Sequence, residues 1–278
     1  MRHRLGIMQG RLSPAVDGKV QSFPAQHWRD EFALAAECGF DLIEWVLDSE
    51  SVAFNPLLTS AGRREIGELS AAHGVKVESV CADFFMDQPA FADADGVGEA
   101  AAMLEVLIAA CADLGVTLID VPLIKNSSVQ EEDSQALFLR RVSKLVPMLD
   151  EHGIRLSLES DLPPDALARF MSRLPTRTCG VNYDMGNSAY WGFDTASEFA
   201  AYGPAIINVH VKDCTPELYT LPLGQGNVDF DLTFGLLKRA GYLGDFILQA
   251  ARSVDDVGAA RGYLAFVMPF VERLRREP

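Results

Sequence analysis

The 278-residue chain predicts a single (β/α)8 barrel, a TIM-barrel fold running over residues 1–278 as one domain. Three observations predict it. Short apolar runs alternate eight times with longer stretches of helical periodicity, the order from which a parallel sheet with crossover helices is built. Glycines stand just before the strands in Gly39-Phe40, Gly74-Val75, Gly115-Val116, Gly153-Ile154 and Gly241-Tyr242, where a helix ends on a left-handed residue. With 49% hydrophobic residues and no second compositional zone, the chain suits one large core of the usual barrel size. A doubly wound open sheet is disfavoured, because no glycine-rich phosphate fingerprint follows the first strand.

The elements follow in order. Leu5 to Met8 reads as a first strand closed by Gln9, Gly10 and Arg11, and a loop rich in Pro and Gly runs to Pro24. Trp28, Phe32, Ala35 and Cys38 recur at helical spacing until Gly39, and Leu42 to Val46 is the second strand. A helix over 63–74 leads to a third strand over 75–81, which runs out through Asp83 to Phe84, Phe85 and Met86. An Ala-rich helix from Gly98 to Leu114 precedes the fourth strand, 117–123, which ends at Lys125 and Asn126. Helices over 134–152, 163–174, 195–202, 232–240 and about 256–275 then alternate with four more apolar runs.

Composition limits the partners. A formal net charge of −15, from 24 Lys plus Arg against 39 Asp plus Glu, argues against nucleic acid and anionic membranes, which need a basic footprint. The five cysteines are widely spaced, odd in number and form no CxxC pair, as in a reduced cytoplasmic protein. No apolar run approaches the roughly 18 residues of a membrane span. A small-molecule partner is expected, and a homodimer or homotetramer is compatible with the sequence.

The last four apolar runs each end on a group able to hold a metal: Glu159, Asp184, His210 and Gln249. The intervals are 25, 26 and 39 residues, the period of a strand, loop and helix rather than of a zinc knuckle. In parallel neighbouring strands these side chains meet at one end of the sheet. Carboxylates and an imidazole suit Mn, Co, Zn, Mg or Fe without choosing among them.

These motifs, Leu-Glu at 159, Tyr-Asp-Met-Gly-Asn at 183–187, Val-His-Val-Lys-Asp at 209–213 and Leu-Gly-Gln-Gly-Asn-Val-Asp-Phe at 223–230, resemble the sugar (phosphate) isomerase/epimerase family of xylose-isomerase-like TIM barrels. The likeness covers nearly the whole chain and is strongest to 3-epimerases of the L-xylulose/L-ribulose 5-phosphate type. It implies that Glu159, Asp184 and His210 bind a divalent metal ion, and that Glu159 is also the base acting on a metal-held enediolate of a sugar or sugar phosphate. The departure is Gln249. The epimerases carry a second catalytic glutamate there, and an amide keeps a ligand oxygen but cannot transfer a proton near neutral pH.

Inverting a carbon next to a carbonyl normally needs proton-transfer groups on two faces, whereas aldose–ketose isomerisation can use one. Stand-ins for the missing glutamate are Glu44, Asp83, Lys125 and Lys212, with Lys212 and Glu44 placed beside Glu159 as catalytic candidates. Glu44, Asp83, Asn187, Lys212 and Asp213 are expected around the substrate, with Trp191 stacking on sugar C–H bonds. Arg11 and Arg252, just past the first and last strands, could hold a phosphate or carboxylate together with Lys125 and the amides of Gly224 to Gly226. Competing readings are a metal-dependent dehydratase or lyase of the inosose-dehydratase kind and a non-catalytic sugar-binding barrel. Endonuclease-type relatives are set aside on charge and on the count of five histidines.

Overall fold

Eight parallel strands close on themselves in the order β1 to β8 in the computed structural model, which describes residues 3–87 and 99–275. The chain runs β1 (Leu5–Met8), α1 (Asp30–Cys38), β2 (Leu42–Val46), α2 (Ser60–His73), β3 (Lys76–Cys81), α3 (Phe84–Asp87), α4 (Glu99–Leu114) and β4 (Leu118–Leu123). It continues α5 (Glu132–His152), β5 (Arg155–Ser160), α6 (Pro164–Met171), β6 (Cys179–Asp184), α7 (Met185–Trp191), α8 (Thr195–Tyr202), β7 (Ile206–Val211), α9 (Phe230–Arg239), β8 (Phe246–Leu248) and α10 (Asp256–Arg275). The seam is β1 on β8, with Leu5 opposite Phe246 and Ile7 opposite Leu248. Closure removes the sheet edges and leaves a polar floor only where inward positions carry polar side chains.

The helix stops behave as their glycines require. Gly39, Gly74 and Gly153 end α1, α2 and α5 in the left-handed region, which a side chain with a Cβ adopts only at a cost. Outside the barrel, Trp45 packs edge-on to Trp28 and beside Phe23 and Phe32, closing the space between β2 and α1. On the other side of the seam, Phe234 stacks on Phe246 and Phe270.

Two differences from the sequence expectation matter for the site. The segment Phe84 to Met86 does not prolong the third strand but turns into α3. Asp184 caps a short helix, α7, by accepting from the Asn187 N–H at 2.9 Å, so a further helix, ending on Trp191, stands between those expected over 163–174 and 195–202. An Asp at a strand end followed by small residues satisfies the first free amides of a helix, which periodicity alone does not reveal in seven residues. The expected start of the Ala-rich helix at Gly98 lies outside the described residues.

Candidate active site

Strand parity builds the site. On β7, Asn208, His210 and Lys212 alternate along one face; on β6 the same face carries Asn182 and Asp184, on β5 Ser157 and Glu159, and on β4 Asp120. All of these are buried. Asp184 pairs in register with His210 and Asp120 with Ser157, so the polar positions fall into layers inside the C-terminal half of the barrel, the end at which TIM-barrel active sites lie. Above them opens a cavity of about 420 Å³, lined among others by Arg11, Gln21, Asp48, Cys81, Asp83, Asp120, Lys125, Glu159, Lys212, Tyr219 and Gln249.

His210 is held from behind. Its Nε2 lies 2.9 Å from Glu44 Oε2, and Asn208 Nδ2 donates to Glu44 Oε1 at 3.2 Å. Its Nδ1 faces Asn182 Nδ2 at 3.1 Å and Glu159 Oε2 at 3.5 Å. Glu159 is gripped by two amides, accepting from Asn182 Nδ2 at 2.9 Å and from Asn187 Nδ2 at 2.5 Å. Asn187 in turn accepts from Lys212 Nζ at 2.9 Å. Lys212 also lies 3.6 Å from Asp184 Oδ2 and 3.7 Å above the ring of Tyr219. Its stem crosses Gly186 so closely that a Cβ there would meet Lys212 Cγ at 2.5 Å, which explains the glycine two positions after Asp184.

The charges are unbalanced toward the acidic. Burial pushes the carboxyls of Asp120 and Asp184 up; nearby carboxylates add to this, while His210 and Lys212 act against it. Glu159 is the exception, since burial would raise it but the hydrogen bond and charge of His210, with Lys212 and Asn182, hold it below its ordinary range. Burial would lower His210, yet Glu44, Glu159 and Asp120 keep it well above the normal imidazole value. Lys212 is likewise kept protonated by Asp184, Tyr219 and Glu159 against the pull of burial.

A divalent cation fits this donor set. Ligand-type atoms of Asp120, Glu159 and His210 lie within 4.8 Å of one another. Asp184 Oδ2 and Gln249 Oε1 are buried oxygens that accept no hydrogen bond among the described residues, an expensive condition that a coordinated ion would relieve. The Glu44 contact fixes Nε2 of His210 and leaves Nδ1 turned to Glu159, the arrangement in which a carboxylate orients a metal-binding imidazole. The expected four-residue set therefore gains a neighbour, Asp120, that motif spacing did not single out.

Several of the expected residues lie elsewhere than on an open substrate wall. Glu44 does not line the cavity: it is fully buried, with its carboxylate against His210 Nε2. Lys212, as a held ammonium, suits binding a substrate oxygen and not taking up a proton. Asp213 is the anchor of the glycine-rich loop, accepting from the N–H groups of Gly224, Gly226 and Val228 at 2.8, 2.9 and 3.2 Å. Those amides are thereby engaged and offer no phosphate cradle. Arg252 donates to the carbonyls of Gly10 and Ser13 and pairs with Asp256 at 2.9 Å, away from the cavity wall. Trp191 packs on Phe193 and does not line the main cavity. Arg11 does reach the wall, but its guanidinium is engaged by the carbonyls of Ala250 and Val20 and by Gln21.

Asn182, Asn208, Asp120 and Gln21 were missed. Counting two residues back along each strand from Asp184 and His210 would have found the two asparagines, and Asp120 is a charged residue amid the apolar Leu118 to Leu123. Gln21 had no such signal, being placed by a long loop.

Asp83, on the wall, carries a testable pH dependence. Burial raises its carboxyl from 3.8 to about 6; hydrogen bonds from Gln21 and Cys81 pull down and Glu159 pushes further up. A carboxyl whose pKa is raised in the fold contributes stability below its unfolded value and loses it as pH rises through about 6. Asp83→Asn in the metal-free protein is thus expected to gain roughly 2.5 kcal/mol of stability relative to the wild type between about pH 4 and about pH 7.5. Urea unfolding at the two pH values measures this, and an equal difference at both would contradict it.

A closed barrel with a buried acid and imidazole cluster beneath a C-terminal cavity defines a TIM-barrel protein with an enzyme-type pocket. The chain belongs to the xylose isomerase-like TIM barrel family, whose model matches residues 32–265. It is 26% identical over 251 residues to L-ribulose-5-phosphate 3-epimerase UlaE of Salmonella typhi, covering 85% of this chain and 88% of that one. Among solved structures it is similar to an L-ribulose 3-epimerase, with a TM-score of 0.74 and 21% identity over 99% of this chain and 96% of the other. It is also similar to a xylose isomerase-like TIM barrel protein from Mycobacterium smegmatis in complex with magnesium, with a TM-score of 0.72, 20% identity, and coverage of 99% and 98%. These two structural likenesses are likenesses of fold. No helix among the described residues is long and apolar enough to cross a membrane.

Proposed function

We propose that the protein is a divalent-metal-dependent sugar isomerase or epimerase that moves a proton on a carbon next to a carbonyl, with Glu159 as the base. The observation that carries this reading is Glu159 itself. It is an ionised carboxylate on the cavity wall, positioned by two amides, in a cluster whose buried oxygens on Asp184 and Gln249 accept no hydrogen bond among the described residues. The family membership and the names of the relatives support it. An ion held by Asp184, His210, Gln249 and Glu159 or Asp120 would supply a Lewis acid that polarises the carbonyl. The chain's own residues do the rest: Asn182 and Asn187 aim Glu159, Glu44 aims His210, and Lys212 offers an ammonium to a substrate oxygen.

The wall favours an unphosphorylated sugar. The phosphate clamp expected from Arg11, Arg252 and the glycine amides is engaged within the protein, and Lys19 pairs with Glu50 at 2.5 Å. Lys125 faces the cavity with no ion-pair partner among the described residues, but Asp48, Glu50 and Asp83 stand on the same wall. A phosphate dianion there meets more carboxylates than free cations.

Incubation with ketopentoses, ketohexoses and their phosphates in deuterated water tests this. Deuterium incorporation is expected with free ketoses at a kcat/KM at least about tenfold above that of the phosphates. It is expected to vanish with chelator and return with Mn, Co or Mg. Loss of water from the sugar would replace the reading with a lyase, and absence of exchange with every sugar under every metal would sink it.

A further inference from the structure

Because residue 249 is an amide, the end of β8 offers no proton-transfer group, and most replacements fail on position. Glu44 sits behind His210, and Lys212 is held by Asn187 over Tyr219. Asp120 accepts from Ser157 Oγ at 2.9 Å and turns toward the Glu159 and His210 cluster. Lys125 stands exposed at the rim. On the isomerase reading above, we propose that Asp83 is the second catalytic residue, exchanging a proton with the substrate carbon on the face turned away from Glu159.

Its place in the barrel supports this. Asp83 follows β3 and lines the same cavity as Glu159 and Gln249. β4 separates β3 from β5, so the two carboxylates approach the cavity from different walls. Asp83 is also tied to the position where the second glutamate was expected. Gln249 Nε2 donates to Gln21 Oε1 at 2.9 Å, and Gln21 Nε2 donates to Asp83 Oδ2. A single amide group thus spans from Gln249 to the Asp83 carboxylate, which serves the same region that a glutamate at 249 would reach. Among the described residues the other Asp83 oxygen accepts only from the Cys81 thiol, at 3.4 Å, a weak donor that leaves the carboxylate basic. Gln21 belongs to the loop between β1 and α1, so a substrate hydroxyl can take over its hydrogen bonds without disturbing a strand.

The proton steps balance. The Glu159 carboxylate takes the proton from the carbon beside the carbonyl; the C–H electron pair forms the carbon–carbon double bond and the carbonyl π pair moves onto oxygen, giving an enediolate. Asp83, in its acid form, returns a proton to the opposite face of that carbon. The enediolate pair makes the new C–H bond and the carbonyl re-forms. Glu159 is left protonated and Asp83 ionised, and exchange with water resets both. The reverse epimerisation uses them in exchanged roles.

The test uses the metal-loaded full chain, a ketose that the wild type turns over, and deuterated water, following label at the reacting carbon and epimer separately. Asp83→Asn is expected to keep one-face exchange and to lose epimer formation by at least about 100-fold, the usual worth of a proton-transfer group. Adding Gln249→Glu to that variant is expected to restore epimerisation at least tenfold, which a merely structural role for Asp83 would not permit. Asp83→Ser serves the same comparison should the asparagine variant fail to fold. Epimerisation by Asp83→Asn within about threefold of the wild type overturns the assignment, as does a loss that Gln249→Glu leaves unrestored. A wild type that moves the carbonyl without forming epimer overturns it while sparing the isomerase reading. A wild type that shows neither exchange nor product overturns both.

Discussion

Glu159→Gln is expected to lower kcat by about 10³-fold or more while the protein remains folded and still binds a divalent ion. General-base catalysis contributes roughly 10²–10⁴-fold, and in the proposed reaction the same carboxylate also takes the first proton. The substitution keeps an oxygen that can face the ion and keeps the side-chain volume, so the grip of Asn182 and Asn187 persists in part. What disappears is the ability to accept a proton. Metal binding read by calorimetry, alongside deuterium exchange, separates the two roles. Full exchange in the glutamine variant would show that another group removes the proton, and loss of both properties would place the residue's main weight on the ion.

His210→Ala is expected to be the most destabilising of the site substitutions, by about 3–5 kcal/mol in chemical unfolding of the metal-free protein. The imidazole is completely buried and stands between Glu44 and Glu159. Removing it leaves Glu44 with Asn208 as its only hydrogen-bonding side chain among the described residues, and its charge is then uncompensated inside the barrel. Combining it with Glu44→Gln should recover a large part of the loss, since a neutral amide needs no countercharge. A double-mutant cycle reads that coupling, and strict additivity of the two changes would show that the pair does not interact.

How far the site was legible follows from the range of each signal. Glu159, Asp184 and His210 were readable because each closes an apolar run, and parallel strands of one barrel bring such ends together whatever the helices between them do. Asp120, Asn182 and Asn208 left a fainter trace, polar residues at inward parity inside strands, where a lone Asn is equally a satisfied core residue. Arg252 and Asp213 illustrate a different limit. A guanidinium beside a pocket and a carboxylate after a metal-type histidine carry chemical promise in any sequence, and it is their partners, the Gly10 and Ser13 carbonyls and the Gly224 to Val228 amides, that engage them.

The barrel, its eight-fold alternation and the shared level of the strand-end polar groups are properties of local pattern, written in hydrophobic period and in glycine stops, and they needed no coordinates. The pairing of groups far apart in the chain required the closed sheet. Glu44 meets His210 across 166 residues and Gln249 meets Gln21 across 228, contacts that arise because strands come into register around a ring and a loop folds over its mouth. Local composition holds no record of such distances: the missing base at 249 was read from the family resemblance, and only the packed barrel tied Asp83 to Gln249 through Gln21.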